Sequence, residues 1–203
     1  MVAVAAGDER RGTTVSDEQR DVIEVLEHDH REVERMFAEL ESLRGAHGDD
    51  AKSRRKDLME QVTIELVRHA VAEEVLVYPQ VEKKVSAEEA ARAKQEHAEA
   101  EETLQRLEGL DPDDTAFDEE LATLTREIRE HVAEEEGEMF VHMRQVLGED
   151  ELRQMGSRVE AFKKVAPTRP HPSVPNEALP RLAAGPVASL LDRMRDLATG
   201  RGT

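Results

Sequence analysis

Four stretches of the chain repeat apolar residues at helical spacing, and each stretch carries a histidine on its apolar face. A glutamate follows each histidine by four residues, and positions i and i+4 lie on one side of a helix, about 6 Å apart along its axis. The four pairs are His30 with Glu34, His69 with Glu73, His97 with Glu101 and His131 with Glu135. An unpartnered buried imidazole costs about 1–3 kcal/mol, and a buried carboxylate costs more. The chain must therefore fold so that these side chains neutralise one another or bind a metal ion.

The spacing of the apolar residues predicts five helices. They lie near residues 17–44, 51–84, 87–108, 115–147 and 150–163. Ser86 with Glu89 matches the capping-box pattern ahead of the third helix. Ser16 with Gln19 matches it ahead of the first. Pro79 falls inside the second helix and should kink it or shift its last turns. Four long helices joined by short turns predict an all-α protein built as an up-down-up-down four-helix bundle.

Composition divides the chain into three parts. A small and polar stretch over residues 1–15 is expected to be a flexible tail, and the bundle is expected to cover residues 16–164. Residues 165–203 contain APTRPHPSVPNEALP, a proline-rich stretch typical of an extended linker. After it, VASLLDRMRDLAT predicts a short amphipathic helix. We expect this C-terminal extension either to dock on the bundle or to bind a protein partner.

The charge and the missing residue types exclude several classes of function. A net charge of −18 argues against nucleic-acid binding, because phosphate contacts need a basic surface. It argues equally against binding to an anionic membrane surface. The chain has no cysteine, which excludes disulfides, thiolate metal sites and a cysteine nucleophile. We find neither a secretory signal nor an apolar run of membrane-spanning length. These features predict a soluble, cytoplasmic protein.

The repeated pairs favour a metal site. A single histidine on an apolar stripe is more often a hydrogen-bonded core residue than a ligand. Four histidines on the inward stripes of successive helices reverse that balance, because a metal ion satisfies them together. Imidazole and carboxylate without thiolate suit iron, zinc, manganese or copper. Four histidines and two to four glutamates exceed the needs of one tetrahedral zinc ion. They fit two ions bridged by carboxylates, about 3.5–4 Å apart.

The local context of the pairs resembles a known family. The second helix reads H-x-x-x-E-E followed by Tyr-Pro, and the fourth reads H-x-x-x-E-E, as in the hemerythrin-like (HHE cation-binding) domain. The residues that carry the resemblance are His30, His69, Glu73, His97, His131 and Glu135. The resemblance covers about residues 20–147 and implies two non-haem iron ions joined by an oxo or hydroxo bridge. It also implies that the four histidines are terminal ligands and that Glu73 and Glu135 are bridging carboxylates.

One position departs from this family pattern. Oxygen-carrying hemerythrins, which the chain resembles, carry a second histidine one turn after the third-helix histidine, where this chain has Glu101. A carboxylate there makes the site harder and more anionic, which favours ferric iron, so simple reversible carriage of O2 is not expected. The sequence leaves open whether Glu101 and Glu34 coordinate the metal.

Several neighbours of the four pairs are weaker candidates. Glu74 and Glu136 stand one position after a paired glutamate, so they either orient imidazole N–H groups or are solvated. Tyr78 and Phe140 are expected to pack in the core, with Tyr78 the one whose phenol is able to reach the edge of the site. The remaining histidines lie off the ligand face, far along it or in predicted loops; they are His28, His47, His142 and His171.

Three functions are compatible with this sequence. The first is a di-iron protein of oxidative stress that binds or turns over peroxide, O2 or NO. Peroxide dismutation is then the first candidate reaction, with no catalytic residue beyond the metal site. The second is a non-catalytic iron, oxygen or redox sensor, or an iron-binding module, that signals through the C-terminal extension. The third is a plain helical interaction protein with its His–Glu pairs on the surface. The sequence does not decide whether the protein is an enzyme.

Overall fold

Five helices account for the fold. The computed structural model describes residues 20–165, and within that range it contains no strand. The helices are α1 (Val22–Ser42), α2 (Asp49–Ala72, then Glu73–Val77 and Tyr78–Lys84), α3 (Ala87–Glu108), α4 (Thr115–Glu134, then Glu135–Met139 and Phe140–Val146) and α5 (Glu149–Val165). Helices α1 to α4 form the bundle, which confirms the predicted all-α, four-helix architecture, and α5 packs outside it against α1 and α2. The predicted short terminal helix lies outside the described residues.

The helix starts follow local capping, with one correction. Helix α1 begins at Val22, five residues later than predicted, because Asp21 is its N-cap. The Asp21 carboxylate accepts from the Glu24 N–H at 3.0 Å, and the Glu24 carboxylate accepts from the Asp21 N–H at 2.9 Å. This reciprocal pair satisfies two N–H groups at the helix start. The predicted cap of α3 is present, since the Ser86 hydroxyl accepts from the Glu89 N–H at 3.2 Å. The alternative cap at Ser16 lies outside the described range.

Two helices widen into a π-turn at matching places. In α2 the turn is Glu73–Val77, and in α4 it is Glu135–Met139. At the end of each turn a backbone N–H donates to the carbonyl five residues earlier, from Tyr78 to Glu73 and from Phe140 to Glu135. The disturbance predicted at Pro79 takes this form in α2. The turn in α4 contains no proline and was not predicted from the sequence.

Two apolar clusters fill the bundle, one on each side of the histidines. The first cluster contains Leu26, Ala72, Ala93 and Met139, and the second contains Val33, Leu66, Ala100 and Ile128. Each bundle helix therefore carries its histidine between a residue of the first cluster and a residue of the second. Helix α5 adds Leu152, Met155 and Val159 to the first cluster. A polar layer lies between two apolar ones. Within residues 20–165, no helix is both long enough and apolar enough to cross a membrane.

Helix α5 approaches the start of α1 closely at Gly156, which gives a test of its docking. A methyl group on Gly156 would lie 2.8 Å from the Asp21 carbonyl carbon and 2.9 Å from the Val22 nitrogen. Alanine favours a helix by about 1 kcal/mol over glycine, but backbone atoms are unable to move aside as a side chain does. We therefore expect Gly156→Ala to lower the free energy of unfolding by about 1–3 kcal/mol, measured by urea denaturation. Gly137→Ala is the matched control, because a methyl group at that position would have nothing within 4 Å of it. Equal stability of the two variants would contradict the close packing of α5.

Candidate metal centre

The four histidines and two of the glutamates meet in the middle layer of the bundle. Their ligand atoms form two groups, in each of which the atoms lie within 4.8 Å of one another. The His69 group is His30, His69, Glu73 and Glu135, and the His131 group is Glu73, His97 and His131. All six residues are buried, none more than 8 % exposed. Glu73 belongs to both groups.

The ring nitrogens of the histidines face each other in two pairs. His30 Nε2 lies 3.1 Å from His69 Nε2. His97 Nε2 lies 3.2 Å from His131 Nε2. At these distances a proton or a cation must lie between the two nitrogens of a pair, because two facing lone pairs repel each other.

Each glutamate joins the two histidine pairs. Glu73 Oε2 lies 3.1 Å from His69 Nε2 and 3.4 Å from His97 Nε2. Glu135 Oε2 lies 3.5 Å from both His30 Nε2 and His131 Nε2. Each carboxylate therefore contacts one histidine of each pair, and the two carboxylates connect the two pairs of rings.

A carboxylate holds the outer ring nitrogen of every histidine. The four Nδ1 contacts are His30 with Glu136 at 2.8 Å, His69 with Asp29 at 3.3 Å, His97 with Glu74 at 3.2 Å and His131 with Glu96 at 2.8 Å. A carboxylate only accepts, so each Nδ1 carries a proton, and Nε2 is the nitrogen of each ring that faces the centre and can bind a metal ion there. Glu74 and Glu136 are therefore partners of the histidines, one of the two alternatives left by the sequence. Asp29 and Glu96 were missed.

Tyr78 contributes its hydroxyl to the centre as well as its ring to the core. It is fully buried in the first apolar cluster. Its hydroxyl donates to Glu135 Oε1 at 2.8 Å, with Glu73 Oε2 at 3.3 Å and His97 Nε2 at 3.2 Å. Tyr78 therefore packs in the core as expected, and its phenol reaches the site, which the sequence had allowed for this residue. Phe140, its counterpart in α4, packs in the same cluster and stacks on His30 at 6.0 Å between ring centroids.

Without metal, the charges of the centre are balanced by protons. Burial lowers the pKa of His30, but the nearby carboxylates of Glu135 and Glu136 outweigh it and raise this pKa to about 9. For His97, burial is likewise outweighed by Glu73 and Glu74, and its pKa rises to about 10. Burial raises the pKa of Glu135, but the surrounding histidines hold it well below its usual range. The pKa of Tyr78 is raised well above 10 by burial and by Glu135 and Glu73, so the phenol keeps its proton.

The donor set fits a metal ion. Glu73 Oε1 and Glu135 Oε2 are buried side-chain oxygens without a hydrogen-bond donor in the described part of the chain. Buried carboxylate oxygens almost always have a donor or a cation. Together with the facing Nε2 atoms, these oxygens are ligand atoms that a cation completes. Imidazole and carboxylate ligands without sulfur suit iron and related transition metals.

The two glutamates whose role the sequence left open, Glu34 and Glu101, lie in different places. Glu34 is exposed and forms ion pairs with Arg129, with Nη2 to Oε1 at 2.7 Å, so the structure does not bring it to the centre. Glu101 is half-buried and lines a cavity of about 40 Å³ that also touches all four histidines. It belongs to neither ligand group. His142 is exposed and contacts Glu89 at 3.0 Å, away from the centre as expected.

Comparison with known proteins agrees with this geometry. The family model of the hemerythrin HHE cation-binding domain matches residues 21–142. An uncharacterized hemerythrin-like protein of Schizosaccharomyces pombe is 31% identical over 172 residues, which cover 83% of this chain and 82% of that protein. A DNA nickase of Nostoc is 25% identical over 161 residues, 79% of this chain but 42% of the nickase. In fold, the chain is similar to the crystal structure of a hemerythrin HHE cation-binding domain-containing protein from Mycobacterium kansasii. The TM-score is 0.60 at 21% identity, and the match covers 71% of this chain and 88% of that one. The chain belongs to the hemerythrin HHE cation-binding domain family.

Proposed function

We propose that this chain is a non-haem di-iron protein that binds or turns over a small oxidant, and that its first candidate activity is the dismutation of hydrogen peroxide. The observation that carries the proposal is the pair of shared carboxylates. Glu73 and Glu135 each contact one histidine of each pair, so the donor set suits two adjacent cations rather than one. The family is a cation-binding one, and a hard, nitrogen- and oxygen-donating set favours iron.

The surroundings of the centre admit a small neutral molecule. The cavity of about 40 Å³ reaches the histidines from the side of the second apolar cluster. A water molecule needs roughly 10–15 Å³ of such space, so the cavity has room for peroxide, O2 or NO but not for a larger substrate. Its apolar lining comes from Val33, Leu66, Val67, Ala70, Ala100, Leu104, Ile128 and Val132. These walls limit the number of water molecules that compete for the site.

Three kinds of side chain have distinct roles around the metal site. The Nδ1 carboxylates hold the imidazole rings in place, the shared glutamates supply negative charge, and Tyr78 holds a proton at Glu135 Oε1. Iron bound in this centre supplies Lewis acidity and electrons for redox chemistry. Dismutation converts two molecules of peroxide into two of water and one of O2, so it balances without an external electron donor. The chain then needs no further co-reactant.

A second candidate is a non-catalytic iron, oxygen or redox sensor. The observation that favours it is the contact between α5 and the centre, since Lys163 of α5 donates to Asp29, the partner of His69. The C-terminal extension, residues 165–203, begins at the end of this helix. In this proposal the extension passes the state of the centre to a protein partner. These proposals include the division of the chain into a tail, a bundle ending near residue 164 and an extension. They also include a role in oxidative stress and a cytoplasmic location.

Peroxide turnover by the purified protein separates the two candidates. We expect the wild-type protein to contain iron, to absorb in the near ultraviolet as bridged ferric pairs do, and to release O2 from peroxide. His69→Ala and Glu135→Ala should abolish O2 release, because each removes a ligand atom from the His69 group. His142→Ala is the matched control, since this exposed histidine contacts Glu89 outside the centre. Iron-loaded protein that leaves peroxide untouched would contradict the enzyme and favour the sensor. Protein purified without metal, with unchanged melting when iron is added, would contradict both.

A further inference from the structure

One of the four Nδ1 carboxylates is held by a helix outside the bundle. Asp29 Oδ2 accepts from His69 Nδ1 at 3.3 Å, and Asp29 Oδ1 accepts from Lys163 Nζ of α5. Asp29 is buried, with 8 % of its surface exposed. The two oxygens of this carboxylate are thus divided between the centre and α5. A chain of two contacts connects Lys163 to a predicted metal ligand.

A second contact attaches the same turn of α5 beside His69. Arg68 precedes His69 in α2, and its Nη2 donates to the Lys163 backbone carbonyl at 2.7 Å. Arg68 Nη1 also pairs with Glu65 at 2.9 Å, which fixes the guanidinium on the surface of α2. A cationic donor at the C-terminal end of a helix satisfies a carbonyl that has no partner within the helix. The side chain and the backbone of Lys163 therefore both act next to His69.

The other outer carboxylates are held differently. Glu74 and Glu136 come from the same π-turns as the shared glutamates, and Glu96 comes from α3. Arg92, on the same helix as Glu96, lies 4.0 Å from it. The family match ends at residue 142, before α5 begins at Glu149. The support of His69 by α5 is therefore an addition to the part of the chain that carries the family pattern.

We propose that Lys163 is a positioning residue of the metal centre, which through Asp29 fixes the His69 ring and thereby makes metal retention in the His69 group depend on α5. The inference rests on the proposed metal function. It adds that the two cation sites differ in how their ligating histidines are held. In the His69 group, His69 is supported through Asp29 from outside the bundle, whereas both histidines of the His131 group are supported from within it. Loss of an outer partner of a ligating histidine typically lowers metal affinity by about 10–100-fold.

The rate of iron release tests this inference. Protein loaded with two ferrous ions per chain is mixed with an excess of a coloured ferrous chelator under nitrogen, and absorbance is followed with time. We expect Lys163→Met to accelerate release of one of the two ions by about 10–100-fold and to leave the other unchanged. Lys163→Arg should restore the slow rate, because guanidinium also donates to a carboxylate. Lys164→Met is the matched control, since this exposed lysine makes no contact with Asp29 among the described residues.

Double variants test whether Lys163 acts on the metal centre through Asp29 and His69. Adding Asp29→Asn to Lys163→Met should change the rate little further, because both act on His69. Adding Glu96→Gln, which acts on His131, should accelerate the second ion as well. Leu152→Ala controls for loose docking of α5, because it removes packing in the first cluster and leaves Lys163 in place. Unchanged release in Lys163→Met would overturn the inference, and so would equal acceleration of both ions matched by Leu152→Ala. A wild-type protein that binds no iron would overturn the proposed function itself.

Discussion

Glu73→Gln is expected to empty both ligand groups of metal. Glu73 is fully buried, belongs to both groups, and contacts His69 on one side and His97 on the other. Glutamine keeps the size and removes the charge, so the two proposed cations lose one of their two shared carboxylates while four imidazoles remain. The loss should exceed the about 10–100-fold that a change in an outer partner produces. Metal content by elemental analysis after gel filtration, together with the near-ultraviolet spectrum, measures it.

Two further variants make this expectation specific. Glu135→Gln should also lower the metal content of both groups, because Glu135 contacts one histidine of each pair at 3.5 Å. Glu34→Gln is the control, since Glu34 pairs with Arg129 on the surface and should keep the wild-type metal content. Far-ultraviolet circular dichroism confirms that each variant is folded. Wild-type metal content in folded Glu73→Gln would contradict the shared-ligand arrangement.

The sequence predicted the helices and the histidine layer because both depend on local periodicity. Residues at helical spacing face one side whatever the neighbouring helices do, so His30, His69, His97 and His131 had to lie on the inward faces if the helices formed. The same reasoning left the place of Glu34 open. Glu73 and Glu135, at the same spacing from a histidine, begin π-turns and are buried, whereas Arg129 from α4 holds Glu34 at the surface.

The sequence did not predict which carboxylate of a neighbouring helix contacts each histidine. Asp29 precedes His30 but serves His69, and Glu96 precedes His97 but serves His131. These pairings depend on how adjacent helices are rotated about their axes, which single-helix periodicity does not specify. A faint signal existed: an acidic residue (Asp29, Glu96 or Glu130) stands directly before the histidine in three of the four helices, although Glu130 pairs with Arg126 instead of a histidine. One sequence alone does not separate that signal from the abundance of acidic residues.

The reach of Tyr78 into the centre depends on a change of helix type beneath it. In a regular α-helix a residue five positions after Glu73 is rotated by about 140° from it and would face away. The π-turn Glu73–Val77 places the hydrogen bond between positions five apart, so Tyr78 lies one turn above Glu73 and its hydroxyl reaches the centre. The same turn places Phe140 above Glu135. π-Turns are frequent at functional sites, yet apolar spacing gave no sign of either.

The metal-free protein is expected to lose stability as the pH rises from about 6.5 to about 10. The pKa of His30 is raised to about 9 and that of His97 to about 10 in the folded chain, from an ordinary value of 6.5. A raised pKa contributes stability that is fully present below the unfolded value and is lost as the pH passes through the folded value. Both histidines are buried against carboxylates, so the total loss should be on the order of several kcal/mol. Urea denaturation of chelator-treated protein at pH 6.5 and pH 10 measures it.

Bound metal should remove most of this dependence on pH. A ligating imidazole is neutral, so a cation replaces the protons of His30 and His97 and leaves fewer to lose above pH 6.5. Iron-loaded protein is thus the control, with nearly constant stability across the same range. Glu135 works in the opposite direction, because a lowered pKa contributes stability that is lost as the pH falls, below the usual carboxyl range. Metal-free stability should therefore be greatest between about pH 4.5 and 6.5. A free energy of unfolding that stays constant or increases from pH 6.5 to pH 10 without metal would contradict the raised pKa values of His30 and His97.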